Sequence, residues 1–158
     1  MKRGDKEVTS RKWIMEVLEK GVWMEFAMAG KDGWPYIVPL NYGFGEDFII
    51  IHGAIEGKKI DLLRENNKVA FNLTIDTEII RNEEDPSKFS MKYRSVSGQG
   101  IASFIEDLDE KKQALKIMMH HYNGPTEPMH EGKLMATSVI KIQITEMYGK
   151  ISNYPKPE

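Results

Sequence analysis

The chain has 158 residues, 41% hydrophobic and 29% charged, with 22 basic residues against 24 acidic and a net charge of −2. This balance lacks the basic footprint of a nucleic-acid binder, and the absence of cysteine removes thiolate chemistry, disulfides and cysteine-ligated zinc. No apolar run approaches the roughly 20 residues needed to cross a bilayer, which leads us to expect no membrane partner, one domain over 1–158 with loose ends at 1–8 and 152–158, and a cytoplasmic setting.

The opening MKRGDKEVTSRK is charged and has no apolar stretch of the secretion-signal kind. Thr9 or Ser10 is placed to cap a first helix. Trp13, Ile14, Val17 and Leu18 give that helix one apolar face, and Gly21 stops it. A strand is expected over 22–28, then a hairpin turn at Gly30, Lys31, Asp32 and Gly33. The next strand, 34–44, is broken by Pro35 and Pro39, which cannot donate to a ladder and so mark an edge, a bulge or a ligand-facing site. A turn at 45–47 leads to a third strand over 48–52.

A short helix follows over 58–65, with Ile60 and Leu63 inward and Leu62 beside them, then a strand over 69–75. Residues 76–88 are polar and acidic and read as a long loop. Residues 89–105 alternate as one or two strands, bent at Gly98 and Gly100. The clearest helix is 107–122, with Leu115, Met118, Met119 and Tyr122 on one stripe. A loop over 123–132 and a final strand over 136–147 complete the chain. Many short strands, with helices that do not alternate regularly between them, predict a mainly β, α+β barrel with helical decoration.

Three segments carry chemistry. In the first, an apolar run ends at His52, a small-residue turn follows, and Lys58 and Lys59 open a helix whose first N–H groups are free. Two ammonium groups there suit an anion, above all a phosphate. In the second, Arg94, Ser95 and Ser97 lie beside glycines that let a planar ligand approach the backbone. In the third, Pro39 frees its neighbours from full pairing, and Asn41 both donates and accepts. Taken singly, each has a plainer reading: solvated lysines and a bulged strand with an exposed arginine, both of which pattern alone favours, and an edge strand with aromatic core residues.

The histidines give no metal site. His120 and His121 are adjacent on a helix and diverge by about 100°, His130 is in a loop, and no H-x-x-x-H spacing occurs. Nucleophile-elbow, phosphate-loop and dinucleotide glycine motifs are absent as well.

In order and spacing, the segments GWPYIVPLNYGF (33–44), IIIHGAIEGKKIDLLREN (49–66) and YRSVSGQG (93–100) resemble the pyridoxamine 5′-phosphate oxidase-like split-barrel flavoproteins, and in particular their nitroimidazole-resistance branch. The resemblance implies a split β-barrel of FMN-binding type and a homodimer with FMN, or FAD in its place, at the subunit interface. It puts Lys58 and Lys59 on the flavin phosphate, and Val38, Pro39, Leu40 and Asn41 along the isoalloxazine. Ile51, His52 and Gly53 border the ring and ribityl chain, and Arg94, Ser95 and Val96 supply contacts near the ring. His52 matches the strand-end histidine of that branch, on the substrate side, which makes it the candidate catalytic residue. Two departures stand out: 76–88 matches poorly, and VAFNL (69–73) lacks the cysteine often found there.

The expected function is an FMN-dependent oxidoreductase that takes electrons from NAD(P)H and reduces a small planar acceptor, such as a nitroimidazole-type nitro compound. The alternatives are a non-catalytic flavin- or haem-binding protein serving storage, sensing or trafficking, and a structural dimer with an empty groove.

Overall fold

The computed structural model describes residues 4–155. Its sheet is built from β1 (Glu7–Val8), β2 (Met24–Ala29), β3 (Pro35–Leu40), β4 (Gly43–Phe44), β5 (Phe48–Ala54), β6 (Lys68–Ile80), β7 (Ser90–Ile105) and β8 (Thr137–Ser152). Four helices accompany it: α1 (Arg11–Lys20), α2 (Lys58–Glu65), α3 (Leu108–His121) and α4 (Glu131–Met135). The strands run in the order β3-β2-β6-β7-β8-β5-β4, all antiparallel, with β1 added to β8.

Period-two alternation sends Met24, Phe26 and Met28 of β2 and Val69, Phe71 and Leu73 of β6 to one side. There they meet Val96, Ile140, Ile142, Ile49 and Ile51, together with Trp13, Ile14, Val17 and Leu18 of α1. Strands from both ends of the sheet thus share one core, so the sheet is curled into a barrel whose open seam lies between β3 and the β4–β5 pair. This is the expected split β-barrel. A second, smaller core forms where α3 lays Ala114 and Met118 on Ile50 and Val139. β5 is therefore covered on both faces, which is why its apolar run does not alternate.

Several local expectations are corrected. Residues 76–88 do not form one loop, because β6 runs on to Ile80. It pairs Glu78, Ile79 and Ile80 with Lys92, Met91 and Ser90 after a bulge between Ile75 and Glu78. Beyond it Asp85 caps a 3-10 turn at Pro86–Lys88, its side chain accepting from the Ser87 N–H at 3.0 Å. The loop over 123–132 ends in α4, which lies too close to Pro128 and is too short to show a period. The final strand continues to Ser152, which is buried and paired with Tyr93.

The ends are likewise tied down. Glu7 and Val8 pair with Lys150 and Gly149, and Val8 is buried; residues 1–3 and 156–158 of the expected loose termini lie outside the described residues. The buried stripe of α3 is Lys111, Ala114 and Met118, with Leu115 and Met119 only partly covered. Ser10 occupies the cap position of α1 without a side-chain cap bond. Gly21, at the other end of that helix, has φ −69 and is not in the left-handed conformation; a Cβ there would strike Tyr42 and Leu73.

Candidate functional site

The corner between β5 and α2 is set by backbone geometry. Gly57 precedes α2 with φ 120, a conformation that strains any L side chain. Its carbonyl accepts from the N–H groups of Ile60 and Asp61 at 2.8 and 3.1 Å. The N–H groups of Lys58 and Lys59 precede the first intrahelical bond and are left for another acceptor. The two lysine side chains take different paths. Lys59 runs back along β5 and donates from Nζ to the His52 carbonyl oxygen at 3.0 Å. Its passage uses the missing side chain of Gly53, where a Cβ would collide with that ammonium. Lys58 instead lies over the Tyr36 ring of β3, 4.8 Å from its centroid, across the seam of the barrel.

Alternation along β5 places Gly53 on the face of Ile49 and Ile51, and His52 on the face of Ile50. The Lys59 ammonium and the His52 imidazole therefore lie on opposite faces of the strand. Partial desolvation of the ring and the nearby Lys59 charge, in that order, hold the His52 pKa below its ordinary value, which favours the neutral imidazole. Burial also lowers the pKa of Lys59. A partly desolvated ammonium with one carbonyl partner is an electrostatic site that a dianion would complete.

β3 borders this corner as an edge strand, paired among the described residues only with β2. Tyr36, Val38 and Leu40 turn inward and are half-buried, whereas Ile37 and Pro39 face outward and Asn41 beyond them is exposed. Ile37 sits level with Ala27 and then Ala70, all three on the outer face, where small side chains leave the sheet flat. Ile51 is fully buried, so only its backbone can border a ligand.

The Arg94 segment lies elsewhere in the fold. His52 is level with Val139 and, through it, with Ile105, while Arg94 is near the opposite end of β7, roughly 35 Å away along the strand. Arg94 donates from Nε to Asp76 at 2.6 Å and from Nη1 to Glu16 at 3.0 Å, and Nη2 also pairs with Asp76. Ser95 and Val96 are buried, Val96 within the barrel core. Within one copy of the chain, then, Lys59 meets Gly53 and the His52 backbone, and Lys58 meets β3 at Tyr36, while the Pro39 and Asn41 side chains face away and Arg94, Ser95 and Val96 do not join them. Tyr36 was not singled out from the sequence. The inward period of β3 was the signal that could have found it.

The described cavities are also separate from this corner. A hollow of about 290 Å³ lies between β2 and β6, lined in part by Ala27, Ala29 and Ala70. One of about 450 Å³ lies under α3, over Phe48, Ile50 and Ile105. No helix among the described residues is long and apolar enough to cross a membrane.

Comparison with known proteins adds the following. A family model described as pyridoxamine 5′-phosphate oxidase matches residues 10–151. A solved structure from Bacteroides thetaiotaomicron VPI-5482, assigned to 5-nitroimidazole antibiotic resistance, is 27% identical with a TM-score of 0.83; the match covers 92% of this chain and 86% of that one. The FAD and heme binding protein from Mycobacterium smegmatis is 21% identical with a TM-score of 0.84, covering 97% of this chain and 76% of that one. An FAD-binding protein from Mesorhizobium loti is 23% identical with a TM-score of 0.64, covering 91% and 96%. The last two likenesses speak to the fold alone. No curated protein matches the sequence.

Proposed function

Because the chain belongs to the pyridoxamine 5′-phosphate oxidase family, we propose that it is a flavin-dependent oxidoreductase. In this reading the β5–α2 corner holds the phosphate of a flavin mononucleotide unit, either free FMN or the corresponding half of FAD. The observation that carries the proposal is the pair of lysines at the start of α2, one passing over Gly53 to the His52 carbonyl and the other lying on Tyr36. The donor set fits the group: two cations and the free N–H groups of a helix start match a phosphate dianion.

A bound flavin supplies two-electron chemistry that no side chain offers. The chain contributes the phosphate anchor, the β3 edge along which a ring can lie, and the neutral imidazole of His52. With a flavin held there, hydride from NAD(P)H would supply the electrons and a small planar acceptor would take them, a nitroimidazole-type compound being our candidate. His52 orients that acceptor or passes it a proton. A homodimer is part of the proposal. The flat outer face carrying Ile37, 61% exposed, beside Ala27 and Ala70 suits a second copy, as do Val22 and Trp23, 64% and 50% exposed. A second copy is also the way for Arg94 to approach a flavin.

The test is spectral. Purified protein supplied with FMN or FAD should take up the flavin and show its visible bands, which should bleach under argon on addition of NADH or NADPH. Retention of flavin with no bleaching by either donor would reduce the protein to a flavin carrier. A Soret band with no flavin uptake would replace the reading with haem binding.

A further inference from the structure

We infer that Trp34 stacks on the adenine of a bound FAD, so that the flavin of this site is the dinucleotide and not FMN; the inference rests on the phosphate reading of the β5–α2 corner. Single exposed apolar side chains are ordinary. Trp34, 77% exposed, is set apart by its position. It sits at the tip of the β2–β3 hairpin, in a turn closed by the Gly33 N–H on the Gly30 carbonyl at 3.1 Å, with Gly33 at φ 75. The Asp32 carboxylate accepts the Trp34 N–H at 3.1 Å, which fixes the backbone at this point. Pro35 follows, and a residue before proline is held extended. The alternation of β3 therefore continues back one step, and Trp34 shares a face with Tyr36.

Tyr36 carries the ammonium of Lys58. Trp34 is thus about 7 Å further along the same strand face from a group that holds phosphate. A second phosphate and a ribose leaving Lys58 toward the hairpin tip would bring a base to the indole. The tip also presents Lys31, its side chain 84% exposed and only loosely paired with Glu65 at 4.0 Å. A further cation for the second phosphate and an aromatic plane for the base match the adenosine monophosphate half of FAD. Base–aromatic stacking needs no sequence-specific hydrogen bonds, only an accessible ring face.

The experiment measures FMN and FAD affinities side by side for the wild type, Trp34→Ala and Trp34→Phe, with the melting temperature as a control on folding. The wild type is expected to bind FAD about tenfold or more tightly than FMN. Trp34→Ala should bring the two affinities together without changing that for FMN, and Trp34→Phe should keep most of the preference. Equal wild-type affinities, or a preference that survives Trp34→Ala, would overturn the inference while leaving the flavin site standing. Binding of neither flavin would overturn both. An effect of Trp34→Ala confined to NADH or NADPH, titrated against the FMN-loaded protein, would show the stacked adenine to be that of the electron donor and would overturn the assignment to FAD.

Discussion

Lys59 bonds to the backbone of His52 and not to its ring: Nζ donates to the carbonyl oxygen at 3.0 Å, and the space it occupies is the one a side chain at Gly53 would fill. This makes Gly53 a positional requirement for the lysine. Gly53→Ala should push the ammonium aside, because the colliding atom is the free end of a flexible chain. FMN affinity should fall about tenfold, with stability changed by less than about 1 kcal/mol. Flavin titration and thermal melting of the same sample separate the two effects. A large loss of stability with affinity intact would show that Gly53 serves the strand and not the anchor.

Lys58→Ala and Lys59→Ala should each weaken FMN by about tenfold to a hundredfold, the loss of one charge-assisted bond, and should leave riboflavin binding unchanged. The comparison of the two ligands isolates the phosphate. Lys59 has the more specific signature. Its pKa is lowered by burial, so wild-type affinity for FMN should decline toward alkaline pH earlier than an ordinary lysine would dictate. That early decline should vanish in Lys59→Ala. Titrations from pH 7 to pH 10 would expose a contrary result as an unchanged pH profile in the variant.

Arg94 makes a different prediction. Its guanidinium joins α1 to β6 through Glu16 and Asp76, and Asp76 sits at φ 52 beside the bulge that starts the β6–β7 extension. Arg94→Ala should destabilise the fold by no more than about 1 kcal/mol, because Glu16 and Asp76 are well exposed. Asp76→Asn, which tolerates the same backbone conformation, should cost less. Urea melts check both. If Arg94→Ala melts like the wild type yet loses flavin, its partners in the free chain are incidental and its role is across the dimer.

The parts legible from sequence share a physical reason. The β5–α2 corner is local: strand end, turn, lysines and helix follow one another within 49–66, so chain order alone assembles it. The barrel strands followed from alternation, and α1 from its stripe of Trp13, Ile14, Val17 and Leu18. What stayed hidden depends on distant partners. The continuation of β6 is acidic and looked like a loop, because its ladder to Ser90, Met91 and Lys92 holds it and no core does. The end of β8 lies beyond the strand expected over 136–147 because Gly149 interrupts its pattern; that glycine is where Trp13 and Val8 pack. The ion pairs of Arg94 join three elements far apart in sequence, so its pattern offered only an unassigned cation.

The remaining prediction concerns acid. His121 at the end of α3 packs its ring on Tyr42, Phe44 and Tyr122, and its Nε2 meets the Gly21 carbonyl at 2.9 Å. A carbonyl only accepts, so Nε2 carries the proton and the buried Nδ1, which has no partner among the described residues, is bare. Protonation would put a donor at Nδ1 with nothing to receive it. Burial accordingly lowers the pKa, outweighing the Gly21 bond and the charge of Glu19, which act the other way; His52 is lowered too. An unfolded histidine titrates near 6.5. Between each folded value and 6.5 the unfolded chain binds more protons than the folded one, so stability falls as pH falls. The stabilising difference is whole above about pH 6.5 and is lost as pH descends through the folded values. Melting temperatures from pH 8 to pH 5 should show this decline, and His121→Gln, which cannot charge, should flatten it while lowering the plateau. A variant as steep as the wild type would assign the acid sensitivity to His52 or to groups outside this cluster.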